Sequence, residues 1–147
     1  METRFELFTV LISRISRSIY KIKTGEMAEY NLKSSHVSCI YYLYKFHTLT
    51  ARELCDLCGE DKANISRAIK HLENEGYIFC SSQISKRYQS PLALTQKGMK
   101  IGREIVEKID RILLDTSKGL SDEERTKFYE YLSVISRNLE EICVKYN

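Results

Sequence analysis

The chain has 147 residues, of which 43% are hydrophobic and 29% charged, and its formal net charge is +3 at pH 7. This length suits one domain unit, or a small domain with helical extensions, and the composition is that of an ordinary soluble protein. The small net charge excludes a broad electropositive field that would draw in nucleic acid. No apolar run is long enough for a transmembrane helix and no signal-peptide pattern occurs, so we expect a cytoplasmic protein without a membrane partner.

The N-terminal segment repeats apolar residues at alternating spacings of four and three. Its members are Phe8, Ile12, Ile15, Ile19 and Ile22. This spacing is a heptad-like seam, typical of a helix that packs lengthwise against another helix. A second helix is predicted over Lys33–Phe46, opened by Ser34 or Ser35.

A capped pair of helices follows. Thr50 and Glu53 predict a capping box. In this motif the Thr50 hydroxyl accepts from the Glu53 amide, and the Glu53 carboxylate reaches back to accept from the Thr50 amide. Gly59 stands where a left-handed residue ends a helix, and Asp61 is the candidate N-cap of the next one, which Gly76 ends. The pattern predicts a short helix, a tight turn and a second helix held out from the body, where a DNA major groove can receive it.

The second helix of this pair has two different faces. Its inward face carries Ile65, Ala68, Ile69 and Leu72. Its outward face lacks carboxylates, and lysine, arginine, asparagine and serine are the side chains that bind phosphates or base edges. The residues predicted to contact DNA are Lys62, Ala63, Asn64, Ser66, Arg67 and Lys70. A solvated amphipathic helix with ordinary surface charge is the alternative.

A β-hairpin is predicted after this helix. Tyr77–Cys80 is aromatic and β-prone, and Pro91–Thr95 returns as a short strand. Pro91, the single proline, fits an edge strand or a strand start because it cannot donate to the ladder. Lys86 and Arg87 stand at the tip, where they are predicted to contact phosphate or the minor groove. A plain solvent-exposed hairpin is the alternative.

The run Thr50–Gly98 resembles the winged helix-turn-helix of the MarR family, the multiple antibiotic resistance regulators. The matching positions are Ser66-Arg67, Leu72-Glu73, Gly76-Tyr77-Ile78 and Leu94-Thr95-x-x-Gly98. The resemblance implies a mainly α fold with a small β-hairpin wing, and dimerisation helices at both ends. It also implies a homodimer that binds double-stranded DNA, and many members of the family respond to small phenolic or lipophilic ligands or to cysteine oxidation.

The wing departs from the family's pattern. Cys80 stands where arginine is common, and Lys86-Arg87-Tyr88 replaces the usual Asp-x-Arg motif. The resemblance therefore implies that the usual salt bridge inside the wing is missing here. Arg87 is the residue available to supply the minor-groove arginine, one position out of register.

Two further helices are predicted towards the C-terminus. Gln96 to about Thr116 is a long helix whose inward residues are Ile101, Ile105, Ile109, Ile112 and Leu113. Ser121 and Glu124 predict the capping box of the last helix. That helix repeats a second heptad-like seam, formed by Phe128, Leu132, Ile135, Leu139, Ile142 and Tyr146.

The two terminal seams predict that the ends of the chain and its middle have different roles. Residues 1–32 and 110–147 are expected to form a helical dimerisation region, and residues 33–109 the winged helix-turn-helix lobe. We expect the seams to pair between subunits, as the resemblance implies, because a body this small has few partners for so many apolar faces. Packing of both seams within one monomer is the alternative.

Five cysteines, an odd number without a secretory segment, indicate reduced thiols. Cys55-x-x-Cys58 lies inside a predicted helix without a second pair to complete a zinc site, so both are interpreted as small buried residues. Cys39 and Cys143 are interpreted as core or interface residues. Cys80, at the base of the wing, is the candidate redox residue because its oxidation would disturb the hairpin, with inert packing as the alternative.

A ligand pocket is predicted where the dimer helices join the DNA-binding lobe, near the pocket for aromatic carboxylates that the resemblance implies. The candidate lining residues are Arg17, Tyr20, His36, Tyr41 and Tyr44. The chain has ten tyrosines, so a tyrosine-lined crevice produced by core packing alone is the alternative.

The sequence contains no phosphate loop, serine elbow or zinc-protease helix, so no enzymatic activity, cofactor or bound metal is expected. It predicts a homodimeric transcription regulator that reads a pseudo-palindromic operator and responds to a small aromatic or lipophilic effector or to thiol oxidation. Two alternatives stay open: a helical dimeric adaptor that has lost DNA binding, and a metal-responsive switch built from cysteine and histidine.

Overall fold

The computed structural model describes residues 4–82 and 89–146. The helices are α1 (Arg4–Glu26), α2 (Ser34–Phe46), α3 (Ala51–Cys58), α4 (Lys62–Asn74), α5 (Gln96–Thr116) and α6 (Asp122–Cys143). The strands are β1 (Thr48–Leu49), β2 (Ile78–Cys80) and β3 (Leu92–Leu94), and short 3-10 turns lie at Ala28–Tyr30 and Val144–Tyr146. The predicted mainly α fold with a small sheet is confirmed.

The chain forms two compact units, Met1–Ile109 and Asp110–Asn147. The first holds α1 to α4, the three strands and most of α5, and its core surrounds α2. The side chains at the centre of this core are almost completely buried: Val37, Cys39, Ile40, Leu43, Leu54, Ile65 and Leu72. The second unit consists mainly of α6, which has no buried residue in the single chain.

Local capping sets the ends of α3 and α4. The Glu53 amide donates to Thr50 Oγ1 at 3.2 Å, and the Thr50 amide donates to Glu53 Oε2 at 2.7 Å, which completes the predicted capping box. Gly59 then adopts a left-handed conformation with φ of +62°. The Asn64 amide donates to Asp61 Oδ1 at 2.7 Å, so Asp61 is the N-cap of α4.

The sheet has one more strand than the sequence predicted. Its order is β1-β3-β2, with antiparallel pairs Thr48↔Ala93 and Ile78↔Leu94. β1 is two residues long, which is too short for a period of two to be recognised. Because β3 is the central strand, placing Pro91 on an edge strand is wrong. The other prediction for Pro91, a strand start, is confirmed, and its carbonyl accepts from the Ser81 amide at 2.8 Å.

One hydroxyl joins the end of α4 to the start of α5. Thr95 Oγ1 donates to the Gly76 carbonyl oxygen at 2.6 Å and accepts from the Gly98 amide at 3.0 Å. The Thr95 amide donates to the Tyr77 carbonyl oxygen at 3.0 Å. Gly98 packs so closely that a Cβ there would overlap the Tyr77 carbonyl oxygen and lie 3.2 Å from Leu94 Cβ. The glycine is therefore required by packing rather than by its own backbone angles.

The apolar face of α5 ends earlier than predicted. Ile101 and Ile105 are buried and Ile109 is partly buried against the core. Leu113 is 48% exposed in the single chain, so its predicted inward position is wrong. The physical reason is that α5 runs past the core of the first unit, and its last residues have no core side chains beside them there.

The seams on α1 and α6 are largely exposed in the single chain. Ile15 and Ile19 on α1 are 48% and 47% exposed, and Leu139 and Ile142 on α6 are 48% and 49% exposed. Among the described residues, no helix is both long enough and apolar enough to span a membrane. In the single chain, the stripes on α1 and α6 are exposed apolar faces.

Replacing Gly98 with alanine should destabilise the fold. The new methyl group meets the Tyr77 backbone, which cannot move without disturbing the Thr95 hydrogen bonds. We expect a loss of about 1–3 kcal/mol in the free energy of unfolding, the usual cost of overpacking. Urea unfolding of both proteins at the same concentration measures it.

The matched control is Gly25→Ala in α1, where an added Cβ meets nothing within 4 Å. Alanine favours the helix over glycine, so this variant should be neutral or slightly more stable. Equal changes in the free energy of unfolding for the two variants would show that the close contact at Gly98 does not cause the loss of stability.

Candidate nucleic-acid interface

The second helix of the helix-turn-helix, α4, is buried on one side and exposed on the other. Ile65 and Leu72 are completely buried, and Ala68 and Ile69 are 1% and 6% exposed. The exposed side chains of the opposite face are Lys62, Ala63, Ser66, Arg67 and Lys70. The division into faces agrees with the sequence pattern. It presents a polar, mainly cationic surface on a rigid helix.

Asn64, at the border of this face, is held by neighbours on both ends of its carboxamide. Its Nδ2 donates to Glu60 Oε2, and Arg67 Nη2 donates to its Oδ1 at 3.3 Å. Its backbone amide is occupied by Asp61. Pairing of Asn64 with an adenine would therefore require release of Glu60. Sequence reasoning missed Glu60 because it lies in the turn before α4, outside both predicted helices.

A pair of stacked imidazoles joins α2 to α4. The rings of His36 and His71 lie 4.2 Å apart with an interplanar angle of 8°. The Lys33 amide donates to His36 Nδ1 at 3.0 Å. Burial, helped by the neighbouring His71 and Lys33, lowers the pKa of His36 to about 4. His36 is therefore neutral at neutral pH, and its proton sits on Nε2.

An open cleft of about 380 Å³ lies at this junction. Its lining residues are Asn31, Lys33, Ser35, His36, Asn64, Arg67, Ala68 and His71. The sequence pointed to His36 as an effector contact and to Asn64 and Arg67 as DNA contacts. His71 and Lys33 were missed, because a pairing across 35 positions leaves no local pattern in the sequence.

The predicted effector residues do not form one site in the described part of the chain. Arg17 lines a groove along α1, and Tyr20 is 58% exposed. Tyr41 meets Tyr42 edge-on at 5.3 Å, whereas the ring of Tyr44 packs against Gly102, where a Cβ would lie 2.7 Å from Tyr44 Cδ2. In the single chain these side chains are not grouped with His36, and the effector site stays a prediction. On α2, His36 and Tyr41 are five residues apart and therefore point about 140° away from each other.

The described part of the wing contains β2 and β3 but not its tip. Lys86 and Arg87 lie outside the described residues, as does the rest of segment 83–88. Cys80, at the end of β2, pairs with Leu92 and is exposed, and its Sγ donates to the Ser82 carbonyl oxygen at 3.0 Å. An exposed thiol at this place agrees with the premise of the redox interpretation and differs from inert packing.

The other thiols occupy different environments. Cys39 is buried, and a hydrogen bond with Cys58 together with burial raises its pKa. Cys55 and Cys58 are only partly buried, so the prediction of two buried thiols is wrong, and Cys143 is exposed rather than part of the core. Across residues 4–82 and 89–146, no three metal-ligating side chains come together as a metal site.

The part of the chain that matches a known protein family contains this helix-turn-helix. Residues 30–83, which include α2, α3, α4 and β2, match the family model described as the MarR family. Over these residues the chain is similar to the MarR family. This confirms the resemblance that the sequence motifs indicated.

Relatives and solved structures extend the likeness over nearly the whole length of the chain. The HTH-type transcriptional regulator YfiV of Bacillus subtilis is 26% identical over 131 residues, which are 89% of this chain and 82% of YfiV. The structure of NMB1585, a MarR family regulator from Neisseria meningitidis, has a TM-score of 0.86 at 16% identity and covers 99% of both chains.

A structure with bound DNA is also similar. A putative MarR family transcriptional regulator from Listeria monocytogenes, solved in complex with 26mer DNA, has a TM-score of 0.81 at 23% identity and covers 92% of both chains. At these identities the likeness concerns the fold. The winged helix architecture predicted from the sequence is confirmed by it.

The lowered pKa of His36 should appear in the pH dependence of stability. His36 is neutral in the folded chain down to about pH 4 but takes up a proton near pH 6.5 when unfolded. The unfolded state therefore binds more protons in this window, and stability falls as pH drops from 6.5 towards 4. We expect this group to contribute roughly 1–3 kcal/mol to that loss.

Thermal or urea unfolding of the wild type and His36→Gln across this pH range tests the effect. Glutamine keeps an acceptor for the Lys33 amide but cannot be protonated, so the stability of the variant should fall less at low pH. Parallel curves for the two proteins would contradict the assignment.

Proposed function

We propose that this chain is a homodimeric transcription regulator of the MarR family, which binds double-stranded DNA and reads a pseudo-palindromic operator with α4. The observation that carries the proposal is the orientation of α4. Its apolar face is fully used in the core, while Lys62, Ser66, Arg67 and Lys70 face solvent. Such side chains donate to phosphates and base edges in the major groove.

The length of α4 suits this role. Its 13 residues form a rod about 20 Å long, which a major groove accommodates. The capped α3 in front of it and the left-handed Gly76 behind it hold both ends. A similar protein from Listeria monocytogenes is described in complex with DNA, which supports the same use of the fold here.

We propose that Lys86 and Arg87 add contacts to phosphate or the minor groove. Both follow β2, which starts at Ile78, and only three residues separate this strand from the end of α4 at Asn74. The chain therefore leads directly from the proposed reading helix to the wing. A basic wing beside a helix in the major groove spreads the contacts along the duplex.

We propose a second copy of the chain as the partner of the exposed apolar faces. On α6 these include Phe128, Ile135, Leu139 and Ile142, each between 38% and 49% exposed, and α1 carries a similar stripe. Stripes of this length are costly to leave in water. In a two-fold dimer, two α4 helices would enter successive major grooves about 34 Å apart.

Regulation would act on that spacing. A small aromatic or lipophilic effector, or oxidation of the exposed Cys80 thiol at the wing base, would bias the dimer between forms with different distances between the two α4 helices. Only a ligand with different affinities for the two forms can shift their populations.

Selection of bound duplexes from a random pool tests the function directly, and an inverted repeat is the expected outcome. On the selected operator, Arg67→Ala should weaken binding by about 1–3 kcal/mol while the protein stays folded. Fluorescence anisotropy at fixed salt measures the affinity, and circular dichroism checks the fold.

The matched control is Arg103→Ala, which removes the same side chain from an exposed position on α5, outside the helix-turn-helix. Its affinity for the operator should be that of the wild type. Unchanged binding by Arg67→Ala, or an equal loss in the control, would remove α4 from the reading role.

The dimer is tested on α6. Leu139→Asp should give monomers or unfolded chains and abolish operator binding. Each buried leucine contributes about 1.5–3 kcal/mol, and a symmetric dimer buries Leu139 once in each subunit, so this contribution is lost twice. Sedimentation velocity measures the assembly. Arg137→Asp introduces the same side chain on the other side of the helix and should stay dimeric, whereas a stable dimer of Leu139→Asp would exclude this seam as the interface.

A further inference from the structure

The helix α1 is attached to the rest of its compact unit through its last turn. In the single chain, every side chain of residues 6–22 is exposed except that of Phe8, which is half-buried. Lys23 and Thr24 are half-buried, and Met27, directly after the helix, is 1% exposed in the core. With 23 residues, α1 is a rod about 34 Å long. Because this rod is held near one end, a small change of angle at its base displaces its far end much more than the base itself.

A lysine of α5 holds the base of α1. Lys108 Nζ donates to the Glu26 carbonyl oxygen at 3.1 Å and lies 3.7 Å from Glu26 Oε2. Glu26 is the last residue of α1, and the last four carbonyl groups of a helix have no partner within it. A cation at this end also interacts favourably with the helix dipole. Lys108 therefore supplies α1 with a C-terminal cap from another helix.

A carboxylate one turn earlier on α5 holds that lysine in place. Glu104 Oε1 lies 3.3 Å from Lys108 Nζ, and Glu104 Oε2 accepts from the Tyr30 hydroxyl at 3.0 Å. Tyr30 ends the short 3-10 turn that lies between α1 and α2. The four residues Glu26, Tyr30, Glu104 and Lys108 are here called the α1 clamp. They join the end of α1 and the turn after it to one face of α5.

The α1 clamp is better suited to set an angle than to hold the fold together. The side chains of Lys108 and Glu104 are 26% and 35% exposed, and ion pairs near the surface contribute little to stability. Met27 and Leu32, on the two sides of the 3-10 turn, are each 1% exposed and anchor the turn in the core. Lys108, by contrast, contacts the final carbonyl group of α1, where a small displacement changes the direction of the whole helix.

We propose that Lys108 and Glu104 are positioning residues for DNA binding, which fix the angle between α1 and the winged helix-turn-helix and thereby the spacing of the operator half-sites. The inference rests on the proposed function, in which α1 helps to pair two chains and each chain brings one α4 to the operator. A tilt of about 6° moves the far end of a rod about 34 Å long by about 3.5 Å, close to the rise of one base pair. A clamp that prevents such tilts restricts the dimer to one spacing.

The spacing preference on DNA tests this role. Duplexes carry the selected half-sites at the selected spacing and at spacings one base pair shorter and longer, and fluorescence anisotropy at fixed salt gives the affinity of each protein for all three. The wild type should bind the selected spacing most tightly. Lys108→Gln should reduce this preference about fivefold, the factor that corresponds to one net hydrogen bond, because its α1 is free to tilt.

Three further variants separate positioning from a general loss of structure. Lys108→Arg keeps the charge and the donors and should retain the wild-type preference. Lys100→Gln makes the same change as Lys108→Gln at an exposed position about two turns earlier on α5, and it should retain the preference too. Glu104→Gln keeps an acceptor for the Tyr30 hydroxyl but loses the charge beside Lys108, so it should weaken the preference as Lys108→Gln does. Urea unfolding and sedimentation velocity check that all four proteins are folded dimers.

Two kinds of failure are distinguishable. If the wild type binds single half-sites as tightly as pairs, the proposed function fails and this inference fails with it. If the wild type prefers one spacing and Lys108→Gln and Glu104→Gln prefer it equally strongly, the proposed function stands and the α1 clamp has no positioning role. An equal change in Lys100→Gln, or no rescue by Lys108→Arg, would likewise overturn the inference.

Discussion

The burial of one face of α4 is the constraint on which the interface depends. Ile65 and Leu72 leave no exposed area, and α4 contacts both α2 and α3 along this face. Each fully buried aliphatic side chain contributes about 1.5–3 kcal/mol, so rotation of the helix about its own axis would cost several of these contributions together. The directions of Ser66 and Arg67 are therefore set by side chains on the other side of the helix.

The end of α4 depends on a different kind of contact. The Thr95 hydroxyl links the turn after α4 to the first turn of α5, and Gly98 allows the two backbones to approach. β2 and β3 leave from this joint, so α4, the base of the wing and the long α5 share one anchor point. A movement of α5 would be transmitted to the wing base through hydrogen bonds rather than through a flexible loop.

Local patterns predicted the fold well because local physics forms these elements. The capping box at Thr50, the N-cap at Asp61 and the two faces of α4 each depend on residues within one or two helical turns. β1 could not be predicted, since two residues form a strand only because β3 lies beside them. The inward position of Leu113 failed for a similar reason, because a periodic pattern cannot show where the neighbouring core ends.

The candidate site was predicted less completely. Exposed α4 residues could be read from the period of the helix, but the stacking of His36 on His71 joins two helices across a distance in sequence that no pattern records. Of the effector candidates on α2, His36 and Tyr41 point in directions about 140° apart, which a list of residue types does not show. The contact between Glu60 and Asn64 was missed because Glu60 lies in the turn before α4, where the periodicity of the helix does not apply.

That contact has a consequence for selectivity. In the proposed complex, Asn64 exchanges an acceptor inside the protein for an adenine, so the free energy gained at the base is the difference between two similar hydrogen bonds. On duplexes without the right adenine, the carboxamide stays with Glu60 and leaves no unsatisfied group behind. The binding free energy would then differ little between a right and a wrong base opposite Asn64. This position would therefore tolerate operator variation, and other residues of α4 would discriminate between sequences.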